Sequence, residues 1–528
     1  MLFPEAFNLA DYFLFDRLTE GLGKNVALRF GDRSWSYGDV AERTRAFAHA
    51  LIEAGVSRGE RVLIVLPDTP PFAWVFFGTI AAGAVVAMGN PDVPPKSIEY
   101  LAEYTQATAI VTVPKVKESC RFPKSVRAIW TVPDVPTGGD TETGDLHDAL
   151  AKSKPRELPR THRDEPAIWL FTSGSTGEPK ANVHAHRDFA FNTEVYAKKT
   201  VGYRKGDVTV SVPRLYFGYA TGTNLMFPFA VGATVGLFSE RPTPESLSRA
   251  ITMYHPTVVT NVPTMLGKLL EHDAAQRAKG EAGLDFSSIR FSLSAGEALP
   301  GPLLDRWLER FRSDVYDGIG SAEMFHIYAS NRPGDVKPGS LGKAVEGYEL
   351  RILPEDATGP GAPEVPRGEI GVLWVKGDSV SMGYWLDRDK SWKTFFGHWC
   401  RTGDLFRIDE DGYLYFAGRA DELLKVSGLW VSPVEVEECL MKHEAVHLAA
   451  VIGVEEEGLL KTKAFVILRA GFSASDALAI ALQDFAKERM AKHKYPRVVE
   501  FVDDVPKNDR GKVDRKALRA RHAKPAKD

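Results

Sequence analysis

Three cysteines in 528 residues, Cys120, Cys400 and Cys439, are odd in number, far apart and in no CxxC pair. That spacing excludes a disulfide framework and a structural zinc site, and it fits a reducing, cytoplasmic setting. Charge of one sign is also lacking: 66 basic and 70 acidic residues leave a net charge of -4, with no long run of either. Nucleic acid is therefore not an expected partner. The first basic residue after the start is Arg17, and Glu5 precedes it, unlike a secretory signal. The longest apolar run, "FAWVFFGTIAAGAVVAM" from Phe72 to Met88, falls short of the ~20 residues a membrane span needs and lacks basic flanks. It is read as a buried helix between "DTPP" and "NPDVPP", and no membrane partner is expected. There is no internal repeat.

What is present is a chain with 44% hydrophobic and 26% charged residues, enough for a large core and more than one domain. Between Asp39 and Gly55 apolar residues recur at helical spacing, with Gly55 placed to end the helix. The short β-branched runs "RVLIVLP", "TAIVTV", "VTVSVP", "ATVGLF", "TVVTNVP" and "IRFSLSAG" are separated by stretches long enough for helices, which predicts an α/β fold with largely parallel sheets. After about Tyr348, "YELRIL", "EIGVLWVKG" and "GYLYFAGR" read as a β-rich subdomain with polar turns. At Ser432 the sequence "SPVE" predicts a capped helix start, with Glu435 at the reciprocal position. The strands "LAAVIGV" and "KTKAFVIL", a helix around 477–493 and the strand "VVEFVDDVP" complete a small α+β C-terminal domain.

The segment "FTSGSTGEPK", Phe171 to Lys180, is rich in glycine and hydroxyl residues and follows an apolar strand. It is not a Walker A loop, because no GK in the chain is followed by serine or threonine where GxxxxGK[ST] needs one. Taken alone it could be a phosphate cradle or a simple loop. Four further segments accompany it in order: "SAGEALP", "YDGIGSAEM", "RTGDL" and "GRADELLKVSG", and then "PKNDRGKVDR" near the end. Together they resemble the acyl-adenylate-forming superfamily over nearly the whole chain, and "LYFGYATGTN" with "DGIGSAEMFHIYASN" is most similar to its benzoate-CoA ligase group.

That resemblance implies a large N-terminal AMP-binding domain, residues 1–420, and a small mobile C-terminal domain, residues 421–528, with Asp421 at the hinge. It implies ATP and Mg2+ as cofactors, coenzyme A as co-substrate and a small aromatic carboxylic acid as substrate. The chemistry implied is adenylation of the acid followed by displacement of AMP by a thiol. An enzyme loading a carrier-protein phosphopantetheine is the alternative, and a non-catalytic nucleotide-binding relative a more distant one.

By the same resemblance, Thr172, Ser173, Gly174, Ser175, Thr176 and Gly177 surround the β- and γ-phosphates with Lys180 in support. Glu323 is the magnesium-associated acid, and Lys512 is the cation that drives adenylation. Gly296, Glu297, Ala298, Asp317, Gly318, Ile319, Gly320 and Ser321 frame the adenylate. Asp404 and Arg419 meet the ribose or phosphate, and Ser427, Gly428 and Leu429 approach the pantetheine channel. Phe217, Gly218, Tyr219, Ala295, Gly320, His326 and Ile327 wall the acid.

Two departures from the family pattern stand out. Ala322 occupies the place of a threonine that contacts the α-phosphate, so a neighbour such as Ser321 or a water is expected to substitute. Ile319 occupies the place of a tyrosine. "LYFGYATG" contains no acid, which disfavours an α-amino acid substrate, because a buried unpaired ammonium is costly. The histidines of "HAH", His184 and His186, are read as structural rather than metal ligands.

Overall fold

The computed structural model describes residues 2–173, 178–297, 299–419, 424–426, 429–456, 459–491, 493–506 and 513–523. Two compact units emerge, one formed by Met1–Leu350 with Val375–Arg401, the other by Arg351–Trp374 with Thr402–Asp528.

The first unit contains two sheets built as the β-branched runs foretell. Six strands lie in the order Ala128–Thr131, Ala109–Thr112, Arg61–Ile64, Val85–Met88, Pro166–Ser173 and Pro179–Ala185, all parallel except the last. Nine strands form the other sheet, whose centre, Asp314–Gly320, Phe291–Ser294, Val258–Asn261, Val208–Ser211, Thr234–Leu237 and Val26–Phe30, is parallel. Antiparallel strands close both of its edges. Parallel strands need crossover connections, and these are the helices between them.

The helix Tyr37–Glu53, which leads from the nine-stranded sheet to the six-stranded one, begins with a full capping box in which Ser36 and Asp39 satisfy each other's backbone N–H groups. It ends where Gly55 takes φ +79°. The apolar run Phe72–Met88 is not one helix. A buried helix covers Pro70–Ala81, Gly83 turns the chain at φ +71°, and Val85–Met88 is a central strand. A uniformly apolar stretch carries no periodicity to separate these states, so only the glycine marked the break. Among the described residues no helix is long and apolar enough to cross a membrane.

The second unit places a three-stranded sheet between two apolar layers. Val446–Glu456 pairs antiparallel with Leu459–Leu468, which pairs parallel with Val498–Phe501. Strand alternation sends Ala449, Val451, Ala464 and Val466 to one face, against Leu482 and Ala486 of the helix Asp476–Arg489. Ala450, Ile452 and Phe465 go to the other, against Val505 and Leu518. Ser432 caps the helix Pro433–Met441 by accepting from the Glu435 N–H at 3.3 Å. The Glu435 carboxylate binds Lys494 at 2.7 Å, a full charge that outcompetes a backbone N–H.

The largest apolar anchor of the nine-stranded sheet is Trp307, fully buried among Leu266, Leu304 and Phe286, with its indole N–H donating to the Ser313 carbonyl at 3.1 Å. Trp307→Ala is expected to destabilise the first unit by about 3–5 kcal/mol, read as a lowered midpoint of its thermal transition. The second unit's transition should stay in place.

Candidate active site

Two strands carry the glycine- and hydroxyl-rich segment into position. Pro166–Ser173 and Pro179–Ala185 form an antiparallel hairpin in which Thr172 faces Lys180 and Ser173 faces Pro179. Its tip, Gly174, Ser175, Thr176 and Gly177, lies outside the described residues, as does the Ser173 side chain. Thr172 is half-buried at the base. Tyr100 donates to the Pro179 carbonyl at 3.2 Å, and Tyr104 donates to the Trp385 carbonyl at 2.7 Å. The hairpin is thus held by a neighbouring helix and by the segment 381–387.

Lys180 does not stand unengaged. Its ammonium is paired with the Asp387 carboxylate, and that charge-assisted bond holds the aspartate below the usual carboxylate range. Asp387 also accepts from the Lys390 N–H, capping the helix Arg388–Thr394. A phosphate reaching Lys180 has to share it with this partner.

The turn bearing Glu323 is a single 3₁₀ turn, Ala322–Met324, between the strands Asp314–Gly320 and Ile327–Ser330. Three neighbours hold it. Tyr384 donates to Glu323 Oε1 at 2.8 Å, Ser381 N–H donates to the Glu323 carbonyl at 2.8 Å, and Ser379 Oγ donates to the Met324 carbonyl at 2.8 Å. Phe325 follows at φ 67° and ψ -59°, with His326 N–H bonded back to the Met324 carbonyl at 2.9 Å. This is the strained form of the γ-turn, rare for a non-glycine residue.

One carboxylate oxygen of Glu323 is engaged by a neutral hydroxyl. Mg2+ binds through one or two carboxylates plus phosphate oxygens and water, so this donor set fits a magnesium carried in on a nucleotide. Among the described residues no group of three or more His, Cys, Asp or Glu side chains could hold a resident metal.

Beside this turn lies the predicted adenylate frame. Asp317 is buried, and desolvation pushes its carboxyl up to about 8, against the pull of Ser294 and the Leu299 N–H, which donates to it at 3.2 Å. Asp317 aligns with Ser294 at the ends of adjacent parallel strands. Gly296 takes φ +94°, and Glu297 accepts from Thr264 at 2.8 Å, whereas Ala298 lies outside the described residues. Gly318 and Gly320 are required by close approach: a Cβ would lie 2.8 Å from the Ala329 carbonyl oxygen and 2.3 Å from that of His326, respectively. Ile319 is half-buried opposite Ala329, and Ser321 Oγ is buried with no partner among the described residues.

Of the residues expected to wall the acid, Tyr219 and His326 are brought together. His326 is buried with Nε2 3.0 Å from the Tyr219 carbonyl, so Nε2 carries the proton, and burial pulls the imidazole down to about 4. The Tyr219 and His326 rings lie 5.3 Å apart. Tyr219 Oη and His326 Nδ1 are buried without partners among the described residues. Phe217 precedes the short helix Gly218–Thr221, a Cβ on Gly218 would lie 3.1 Å from Leu170, Ala295 is buried at the end of its strand, and Ile327 accepts from Asn192 through its carbonyl at 2.8 Å.

In the second unit, Asp404 and Arg419 face each other across the antiparallel pair formed with Leu414–Arg419. The Arg419 side chain, Asp421, Ser427, Gly428, the Leu429 side chain and Lys512 lie outside the described residues. Sequence reasoning missed Tyr384 and Asp387, which lie in no signature segment and are, respectively, 61 and 207 positions from the partners they hold.

A parallel-sheet unit presenting a glycine-rich hairpin, a carboxylate turn and a buried acid at the strand ends defines an adenylate-forming class of protein. Residues 15–385 match the AMP-binding enzyme family, and residues 435–512 match the AMP-binding enzyme C-terminal domain. The chain belongs to this family. It is 39% identical to a benzoate–CoA ligase of Thauera aromatica over 520 residues, 98% of this chain and 96% of the relative. Among solved structures it resembles the anthranilate CoA ligase AuaEII in complex with anthranoyl-AMP, with a TM-score of 0.87 at 34% identity, covering 98% of each chain. It also resembles a benzoate CoA ligase from Burkholderia xenovorans LB400, with a TM-score of 0.85 at 36% identity, over 97% of this chain and 100% of that one.

The sign of the Asp317 shift gives a test. A carboxyl whose folded value lies near 8 stays neutral while the unfolded chain ionises from about 4 upward, so it withdraws stability progressively between those values and no further above 8. Asp317→Asn removes this term. The stability of the variant relative to wild type should rise from pH 4 to pH 8 and then level off, as followed by thermal unfolding across that range.

Proposed function

We infer that this chain is an ATP-dependent, AMP-forming acid–thiol ligase that converts a benzoate-type aromatic acid, such as benzoate, 2-aminobenzoate or a hydroxybenzoate, through aryl-AMP to aryl-CoA in the cytoplasm. The observation that carries this reading is the wall around Tyr219 and His326, aromatic, uncharged and set beside the Glu323 turn. An aryl ring fits there with its carboxylate toward the phosphates, whereas an α-amino acid would bury its ammonium against a neutral imidazole. Tyr219 Oη and His326 Nδ1, both buried without partners among the described residues, are the atoms that would read a ring hydroxyl or amino group.

In the first step a carboxylate oxygen attacks the α-phosphorus of ATP, a new P–O bond forms, the bond to the β-phosphate bridging oxygen breaks, and pyrophosphate leaves. The hairpin at 172–180 accommodates the departing phosphates, and Lys512 stabilises the charge spread over the five-coordinate phosphorus. Magnesium bound through Glu323 would neutralise phosphate charge. Gly296, Glu297 and Ala298, together with Asp317, frame the base, and Asp404 accepts from the ribose hydroxyls.

In the second step the thiol sulfur of CoA attacks the acyl carbon, the acyl–phosphate bond breaks, AMP leaves and the thiol proton passes to solvent. A swing of the smaller domain about Asp421 would exchange Lys512 for the segment Ser427–Leu429, with Gly428 keeping the thiol path narrow and open.

The deciding experiment supplies aryl, alkyl and amino acids with ATP and magnesium, with and without CoA, and reads products by mass spectrometry. Aryl-AMP alone should form without CoA, and aryl-CoA with it. Aryl-AMP that is transferred only to a carrier phosphopantetheine would overturn the CoA assignment, and no adenylate with any acid would overturn the enzyme. Lys512→Ala should lower adenylation by ~10²–10³ while largely sparing transfer from preformed aryl-AMP, measured by pyrophosphate release and thioester formation separately.

A further inference from the structure

His184 sits at the end of the strand that leaves the phosphate hairpin, paired with Ile168 and wholly buried. Its Nδ1 is 3.0 Å from Asp188 Oδ2, and its Nε2 is 2.6 Å from the Ala322 carbonyl oxygen. A carbonyl only accepts, so Nε2 carries a hydrogen. Asp188 is itself buried, and the same Oδ2 accepts the Ala185 N–H at 2.9 Å. A bare nitrogen lone pair facing that oxygen would be repulsive, so a second proton lies between Nδ1 and Oδ2. The ring is therefore hydrogen-bonded at both ends.

Packing fixes it in the plane as well. The His184 ring meets Phe189 edge-on at 5.6 Å and Phe325 at 6.3 Å, and Phe189 and Phe325 lie against each other at 3.6 Å. Phe325 is the residue that holds the strained γ-turn. The bond from the His184 ring reaches the backbone carbonyl immediately before Glu323. The neighbouring residue Val183 gives its N–H to the Gly383 carbonyl at 3.0 Å and takes the Met382 N–H at 2.8 Å, which leads to Tyr384, the donor to the Glu323 carboxylate.

We propose that His184, oriented by Asp188, is a positioning residue that locks the Ala322–Met324 turn to the phosphate hairpin, so that the Glu323 carboxylate and the hairpin meet one nucleotide at a fixed separation. The inference rests on the reading of Glu323 as the magnesium-associated acid. It assigns to the first histidine of "HAH" a duty in metal–nucleotide binding that operates through the backbone, without contact between His184 and the ligand. Because the bond is to a carbonyl, it is indifferent to which side chain stands at position 322.

The test uses the full-length protein and reads the affinity for Mn2+·ATP by electron paramagnetic resonance of free Mn2+, the rate of pyrophosphate release, the rate of CoA transfer from preformed benzoyl-AMP, and the melting temperature. His184→Phe should weaken Mn2+·ATP binding at least ~10-fold and slow pyrophosphate release by about 10², with transfer from benzoyl-AMP changed by no more than ~3-fold. His184→Gln, which can still donate to the Ala322 carbonyl, should regain most of the affinity. Asp188→Asn should give the same split with smaller losses, and it decides the question if the phenylalanine variant does not fold. Equal losses in both half-reactions, or unchanged Mn2+·ATP affinity in His184→Phe and Asp188→Asn while Glu323→Gln loses it, would overturn the clamp and leave the reading of Glu323 standing. Unchanged affinity in all of these variants would overturn both.

Discussion

A carboxylate that shares a magnesium ion with a nucleotide must sit at a fixed point, and a single 3₁₀ turn cannot fix it. Ala322–Met324 spans three residues, too few to bury a face or to satisfy its own backbone. The position of Glu323 is therefore set from outside, by Tyr384 on the carboxylate, by Ser381 on its carbonyl and by His184 on the carbonyl before it. Each of these partners is itself tied to the strand Pro179–Ala185, directly or through the segment 381–384. The hairpin that frames the phosphate segment and the turn that carries the acid are thus one hydrogen-bonded object.

The surrounding architecture follows from this need. Parallel strands end together on one side of a sheet, and their carboxyl-terminal ends are where polar groups can gather without breaking the ladder. Asn261, Ser294 and Asp317 stand at matching register on adjacent strands of the nine-stranded sheet, and the Glu323 turn grows from the last of these. Burial there pushes the Asp317 carboxyl up and favours its neutral form. Glycine at 318 and 320 lets the following strand approach closely enough to bring His326 back toward Tyr219. The residues expected to meet the nucleotide and those expected to wall the acid thus lie along one stretch of backbone, 317–327.

Much of this was legible before any coordinates. The strand runs, the serine cap at Ser432 and the strands of the C-terminal sheet are local patterns, and local patterns survive in sequence. So are the signature segments, because a phosphate or a metal dictates both residue type and spacing. What the sequence concealed acts at long range. Nothing in "SMGYW" marks Tyr384 as the partner of a glutamate 61 positions away, and nothing in "LDRDK" marks Asp387 as the partner of Lys180. The apolar run from Phe72 failed for a different reason: where every position is buried, helix and strand leave the same imprint. At Glu435 a lysine folded in from 59 positions away takes the carboxylate that local reasoning gave to the cap.

The alanine at position 322 looks different in this light. As a motif position it reads as a lost hydroxyl, the one departure from pattern nearest the α-phosphate. In the folded chain, the part of residue 322 that carries structure is its carbonyl, which any amino acid supplies and which receives the His184 N–H. Next door, Ser321 Oγ is buried without a partner among the described residues, and a buried hydroxyl in that state favours any ligand that supplies one. Strain at Phe325 points the same way: a γ-turn of this hand persists only where its surroundings over-determine it. Here those surroundings are the tilted ring of Phe189 and the doubly bonded His184, and neither of them depends on the side chain at position 322.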